Sequence, residues 1–156
     1  FAHATEVMTG NSVGKKDIKM YDETVSSSFK LTFISLLVYA FVFIFLSSSI
    51  IHIVTSHTSV VSIANLNIVY LYVVVVFGSI AFCIDGIMIG ALQHKKMRNI
   101  MIISGLVYLV LYLNLSGTAQ EHIWYPFAAF FISRSLLLYS SLRSVRKQLF
   151  NSKCYI

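Results

Sequence analysis

The most constraining feature of this sequence is a long stretch without charge: no Asp, Glu, Lys or Arg lies between Lys30 and Asp85. A helix that crosses about 30 Å of hydrocarbon needs roughly 20 residues, so this stretch is long enough for two crossings. The whole chain is 57% hydrophobic and 12% charged, whereas a soluble domain carries about 25% charged residues. The sequence therefore predicts an all-α integral membrane protein.

The spacing of the apolar runs predicts four transmembrane helices. The uncharged stretch divides at a polar cluster, residues 52–59, which is suited to a surface turn. Residues 1–14 are interpreted as the end of a truncated transmembrane helix, residues 15–30 as a mixed-charge connector, and residues 143–156 as a basic tail. The four predicted spans are residues 31–51, 67–92, 100–115 and 123–142.

The basic residues predict how these helices are oriented. They occur before the first span, between the second and third spans, and after the fourth, whereas the other two connections contain no Lys or Arg. An even number of spans puts all three basic segments on one side, and the positive-inside rule identifies that side as the cytoplasm. The connector and the C-terminus are therefore expected to be cytoplasmic. The net charge of +6 belongs to these membrane-flanking segments, so no nucleic-acid partner is expected.

Three ionisable residues are expected inside the membrane: Glu6, Asp85 and Arg134. A charge at a helix centre costs about 2.5–3.5 kcal/mol on translocon scales, so such residues usually face the interior of a bundle. Each of the three lies eight or nine residues before the predicted cytoplasmic end of its helix. At about 1.5 Å per residue, all three are expected roughly 12–14 Å from that boundary, near the midplane.

Two interpretations of this charge layer are open. In the first, Asp85 and Arg134 form a neutral buried pair that only fixes the register of two helices. In the second, Glu6 adds a surplus negative charge that favours proton uptake by one carboxyl group. Asp85 then stays ionised beside Arg134, and Glu6 is the group that titrates.

Small residues predict close helix packing around this layer. Gly78 shares a helix face with Asp85, and the pairs Gly86/Gly90 and Gly10/Gly14 have the small-xxx-small spacing that lets two helix backbones approach. Asp85 is therefore expected to point into a bundle and not towards lipid.

Other chemistry is not indicated. The five His residues lack metal-ligand spacing, and Cys83 is interpreted as a small packing residue. The sequence contains no nucleotide-binding loop, nucleophile elbow or paired-His motif. Neither a metal, a cofactor nor an enzymatic activity is expected.

Three segments resemble the DinF-like branch of the multidrug and toxic compound extrusion (MATE) family. Residues 82–91, Phe-Cys-Ile-Asp-Gly-Ile-Met-Ile-Gly-Ala, followed by Met-Arg-Asn at 97–99, are similar to that branch's signature of its tenth and eleventh helices. Residues 123–128, Ile-Trp-Tyr-Pro-Phe-Ala, with Arg134 resemble its twelfth helix. Residues 2–17, which contain Glu6, are similar to the end of its eighth helix. The three matches follow the order and spacing of the family.

The resemblance implies that the chain is the C-terminal part of a twelve-helix transporter made of two six-helix lobes, from the end of helix eight to helix twelve. Members of this family are cation-coupled antiporters that use H⁺ or Na⁺ to export amphipathic, often cationic, organic compounds by alternating access. The implied partners are such a small organic substrate, the lipid bilayer and the missing N-terminal lobe. The implied location is a bacterial inner membrane. The Tyr-Pro pair at 125–126 departs from the family pattern, which often has a small or aliphatic pair there.

Two alternative functions are open. A lipid-linked oligosaccharide flippase shares the two-lobe architecture, but it is expected to have a basic cavity for pyrophosphate, and Arg134 balanced by Asp85 argues mildly against that. A free-standing four-helix structural subunit predicts a Met start just before residue 1 and needs no charge layer. The exporter predicts roughly 200 or more further residues upstream that contain a second lobe.

Overall fold

The computed structural model describes residues 2–54, 67–115 and 119–151, and all the regular elements within these residues are α-helices. The predicted all-α fold is therefore confirmed. Most of the predicted surface turn, residues 55–59, lies outside the described residues. The five helices are α1 (Ala2–Gly14), α2 (Ile18–Val54), α3 (Ile68–Gly90), α4 (His94–Asn114) and α5 (Ala119–Asn151).

The helices extend beyond the predicted spans at the ends that carry basic residues. α2 begins at Ile18 and not near residue 31, so the predicted connector is helical except at residues 15–17. α5 continues to Asn151, past the predicted end at residue 142. Hydropathy locates only the part of a helix that lies in hydrocarbon, whereas backbone hydrogen bonds continue the helix into water.

Three stretches within the described residues are long and apolar enough to cross a membrane. They are Ile18–Val42, which is part of α2, the whole of α3, and the whole of α4. α5, which contains the fourth predicted span, is not among them. Arg134 and the serines around it lower the hydropathy of α5, although its length is more than sufficient.

Two tight turns with the same hydrogen-bond pattern reverse the chain after α1 and after α3. After α3, Leu92 has a φ of 55°, and the N–H groups of Leu92 and Gln93 donate to the carbonyls of Ile89 and Met88 at 2.9 Å. These are the two bonds of a Schellman motif, in which one left-handed residue ends the helix. Lys16, with a φ of 54°, occupies the same position after α1.

α3 is the central helix of the bundle and packs against α1, α2 and α5. Its segment Cys83–Met88 is buried, and the core also includes Leu138 and Val145 of α5. The order of the contacting residues along each pair of helices shows that α1, α3 and α5 run in one direction and that α2 runs in the opposite direction. The outer faces of α2 and α4 expose large apolar side chains, as suits contact with lipid or with further helices: Phe33, Phe41, Phe45, Leu106 and Leu113.

Candidate functional site

An ion pair joins the central helix α3 to α5 in the interior of the bundle. Arg134 Nη2 on α5 donates to Asp85 Oδ2 on α3 at a distance of 2.7 Å. Each side chain is only 12% exposed. Two opposite charges that share a poorly hydrated site can be tolerated because each neutralises the other.

The surroundings of the pair are mostly apolar. The Arg134 guanidinium lies 6.0 Å from the centre of the Phe130 ring, in the range of a cation–π contact. The second carboxylate oxygen, Asp85 Oδ1, is buried and has no hydrogen-bond partner among the described residues. One oxygen of the carboxylate is thus held by the guanidinium, and the other retains its capacity to accept a proton or a cation.

Two glycines of α3 allow α1 to come unusually close. A Cβ atom built on Gly86 would lie 2.7 Å from the carbonyl oxygen of Ala2. A Cβ atom on Gly90 would lie 2.8 Å from Thr9 Cβ and would also collide with the carbonyl oxygen of Glu6. The backbones of α1 and α3 are therefore in direct contact, which only glycine at these two positions permits.

The other three glycines named for packing differ in their surroundings. A Cβ atom on Gly10 would lie 3.5 Å from the carbonyl oxygen of Gly90, which is an ordinary contact. A Cβ atom on Gly78 would lie 3.4 Å from the ring of Phe131, so Gly78 faces α5. Gly14 has no atom within 4 Å of such a Cβ among the described residues and does not contribute to the close contact.

No ion pair or hydrogen bond connects the Glu6 side chain to Asp85 or Arg134 within the described residues. The carbonyl oxygen of Glu6 and the backbone nitrogen of Gly10 both lie beside Gly90 of α3, so Gly90 is at a level between these two residues of α1. Glu6 Oε2 is 3.5 Å from His3 Nδ1, and the Glu6 side chain is 38% exposed. The equal depth of Glu6 and the ion pair stays a prediction, because the contacts at Gly90 bracket the level of Glu6 without fixing it.

Polar contacts that the sequence analysis missed connect the helices near their basic ends. Arg146 on α5 binds both carboxylate oxygens of Asp22 on α2, at 2.7 and 2.6 Å. Lys96 on α4 donates to Gln148 on α5 at 2.6 Å. These contacts could not be expected from sequence spacing, because they depend on α2 and α5 continuing as helices through the predicted connector and tail.

The structure offers no evident metal site within the part of the chain that it describes. No group of three His, Cys, Asp or Glu side chains lies close enough there to hold an ion. Cys83 is a buried free thiol.

Apolar helices around an internal carboxylate–guanidinium pair define a multi-pass membrane protein with a polar site within its bundle. The MatE family model matches residues 1–115 of the 156, so the chain belongs to the MatE family. The match includes Glu6 and Asp85, whereas Arg134 lies beyond it. The resemblance to the MATE family is thereby confirmed.

A curated relative supports the DinF-like assignment. The chain is 25% identical over 138 residues to "DNA damage-inducible protein F" of Escherichia coli strain K12. This alignment covers 88% of the chain but 30% of the relative, so the chain spans about a third of that protein's length. No solved structure matches the chain.

Proposed function

We propose that this chain is part of a cation-coupled antiporter that exports amphipathic organic compounds by alternating access. The observation that carries the proposal is the ion pair between Asp85 and Arg134, which joins two helices inside an apolar bundle. Intramembrane ionisable residues mark ion or substrate pathways in many transporters. Membership of the MatE family supports the same conclusion.

The proposed mechanism assigns different roles to the two carboxylates. Arg134 holds one oxygen of the Asp85 carboxylate and fixes α3 against α5. Glu6, which is partly exposed, is the group that takes up and releases the proton in an H⁺-coupled cycle. The carbonyl oxygen of Glu6 lies against Gly90, so the proposed proton acceptor belongs to the helix that packs directly on α3.

The proposal includes partners that are not present in this chain. A lobe corresponding to the rest of the relative would complete the transport path, and the substrate would bind between the two lobes near the midplane. The basic ends of the helices would face the cytoplasm of a bacterium, with the protein in the inner membrane.

Transport by the full-length protein tests this function. We expect purified protein in proteoliposomes to drive efflux of a cationic amphipathic dye when a gradient of either H⁺ or Na⁺ is imposed. Liposomes without protein, and loaded liposomes treated with an ionophore that collapses the gradient, are the controls. Efflux that neither gradient drives would contradict antiport.

Replacing Glu6 by glutamine tests the proposed proton acceptor. If the pH gradient drives efflux, we expect Glu6→Gln to flatten the dependence of the efflux rate on internal pH, because the amide cannot take up the proton. Glu23→Gln is the matched control, since Glu23 is an exposed carboxylate on α2 outside the pair and its packing. An unchanged pH profile in Glu6→Gln would remove Glu6 from the coupling mechanism.

A further inference from the structure

A mostly apolar groove runs between α2 and α5. Its deeper part is a cavity of about 530 Å³, within the range of about 300–1,000 Å³ that is usual for ligand sites. Phe33 and Leu36 of α2 line one wall, Leu136 of α5 lines the other, and Phe77 and Ile80 of α3 form the floor. Phe33 and Leu136 are each about 60% exposed, so the groove is open to the outside of the bundle.

The groove continues towards the basic ends of the helices. A second cavity of about 420 Å³ shares Phe29 and Tyr139 with the first and extends to Arg143. The rings of Phe29 and Tyr139 meet edge to face at 6.4 Å where the two cavities join. Lys30 lines the first cavity next to this junction. The groove therefore has an apolar deep part and a cationic end.

The two cations at this end are not neutralised within the described residues. Lys30 and Arg143 are both exposed, and neither has an ion pair there. By contrast, the neighbouring Arg146 is engaged by Asp22. Long basic side chains can lay their alkyl part along an apolar wall while the charged group reaches the membrane surface.

We propose that this groove binds an anionic phospholipid of the surrounding bilayer. One acyl chain lies in the deep part against Phe33, Leu36 and Ile80, and the phosphate group lies between Lys30 and Arg143. Basic pockets between transmembrane helices are suited to anionic head groups, and a zwitterionic lipid would offset its own phosphate charge. The apolar length of the groove distinguishes this ligand from a free phosphate, which would leave it empty.

Lipid retention by the full-length protein tests the site. The protein is reconstituted in nanodiscs that contain mainly phosphatidylcholine with a minor fraction of phosphatidylglycerol, and bound lipid is measured by native mass spectrometry. We expect phosphatidylglycerol to be enriched on the protein. Removal of one charge, in Lys30→Gln or Arg143→Gln, is expected to weaken its binding about fivefold, and removal of both about thirtyfold. Lys147→Gln, an exposed cation of α5 outside the groove, is the control and should change binding less than twofold.

A second measurement tests where the acyl chain lies. Phosphatidylglycerol with a photoreactive acyl chain should label the groove residues of α2 and α5, and Leu136→Trp should reduce that labelling by filling the groove. Equal retention of the two lipids, or retention unaffected by Lys30→Gln/Arg143→Gln, would overturn the proposal. A photoreactive amino acid at Phe33 that links to another polypeptide instead of lipid would also overturn it, because a protein would then cover the groove.

Discussion

Replacing Asp85 by asparagine is expected to lower the free energy of unfolding of the full-length protein by about 3–5 kcal/mol. The substitution leaves the Arg134 guanidinium as an unpaired charge in a site where it is only 12% exposed. The amide can still accept a hydrogen bond, but it cannot neutralise the positive charge. The free energy of unfolding is measured in lipid bicelles by steric trapping.

Asp22→Asn is the matched control for this effect. It also removes a carboxylate from an arginine, but the side chains of Asp22 and Arg146 are 46% and 47% exposed, so water and salt replace much of what is lost. The change is expected to be small and to shrink further at high salt. If Asp22→Asn destabilises the protein as much as Asp85→Asn does, burial of the inner pair does not determine its contribution.

Replacing Gly90 by alanine is expected to lower the free energy of unfolding by about 1–3 kcal/mol. The new methyl group would collide with the Glu6 carbonyl oxygen and lie 2.8 Å from Thr9 Cβ. Because these neighbours lie on or next to the α1 backbone, they can give way only if α1 moves away from α3. Thermal unfolding and the yield of monodisperse full-length protein in detergent both report the change.

Gly105→Ala provides the control in the same chain. Gly105 is also inside a helix, but a Cβ atom there meets no other atom within 4 Å among the described residues. Alanine is the better helix former by up to about 1 kcal/mol, so Gly105→Ala should stabilise the protein slightly. Equal destabilisation by both substitutions would contradict the close packing of α1 on α3.

Some of this structure follows from the sequence because the bilayer imposes strong constraints. Long uncharged runs leave few alternatives to helices, since backbone groups in hydrocarbon must be satisfied within the segment. The high cost of a buried charge also predicts from the sequence alone that Asp85 pairs with Arg134, because no other charged residue is expected in those two spans.

Other features depend on the register between helices, which sequence spacing does not contain. The glycine pair 86/90 predicts a close contact, but not that α1 is the partner or that the Glu6 side chain lies beside His3. Gly14 has the same spacing from Gly10 and makes no such contact, because α1 extends past the end of α3. The contact between Arg146 and Asp22 needs helices longer than hydropathy indicates.

The central claim is that Asp85 and Arg134 compensate each other's charge inside the bundle. A double-mutant cycle of Asp85→Asn, Arg134→Gln and the double variant, with free energies of unfolding measured in bicelles, tests this most directly. We expect the double variant to lose less stability than the sum of the single variants, with a coupling of about 2–3 kcal/mol. Losses that simply add would contradict the claim, because the two residues would then contribute independently of each other.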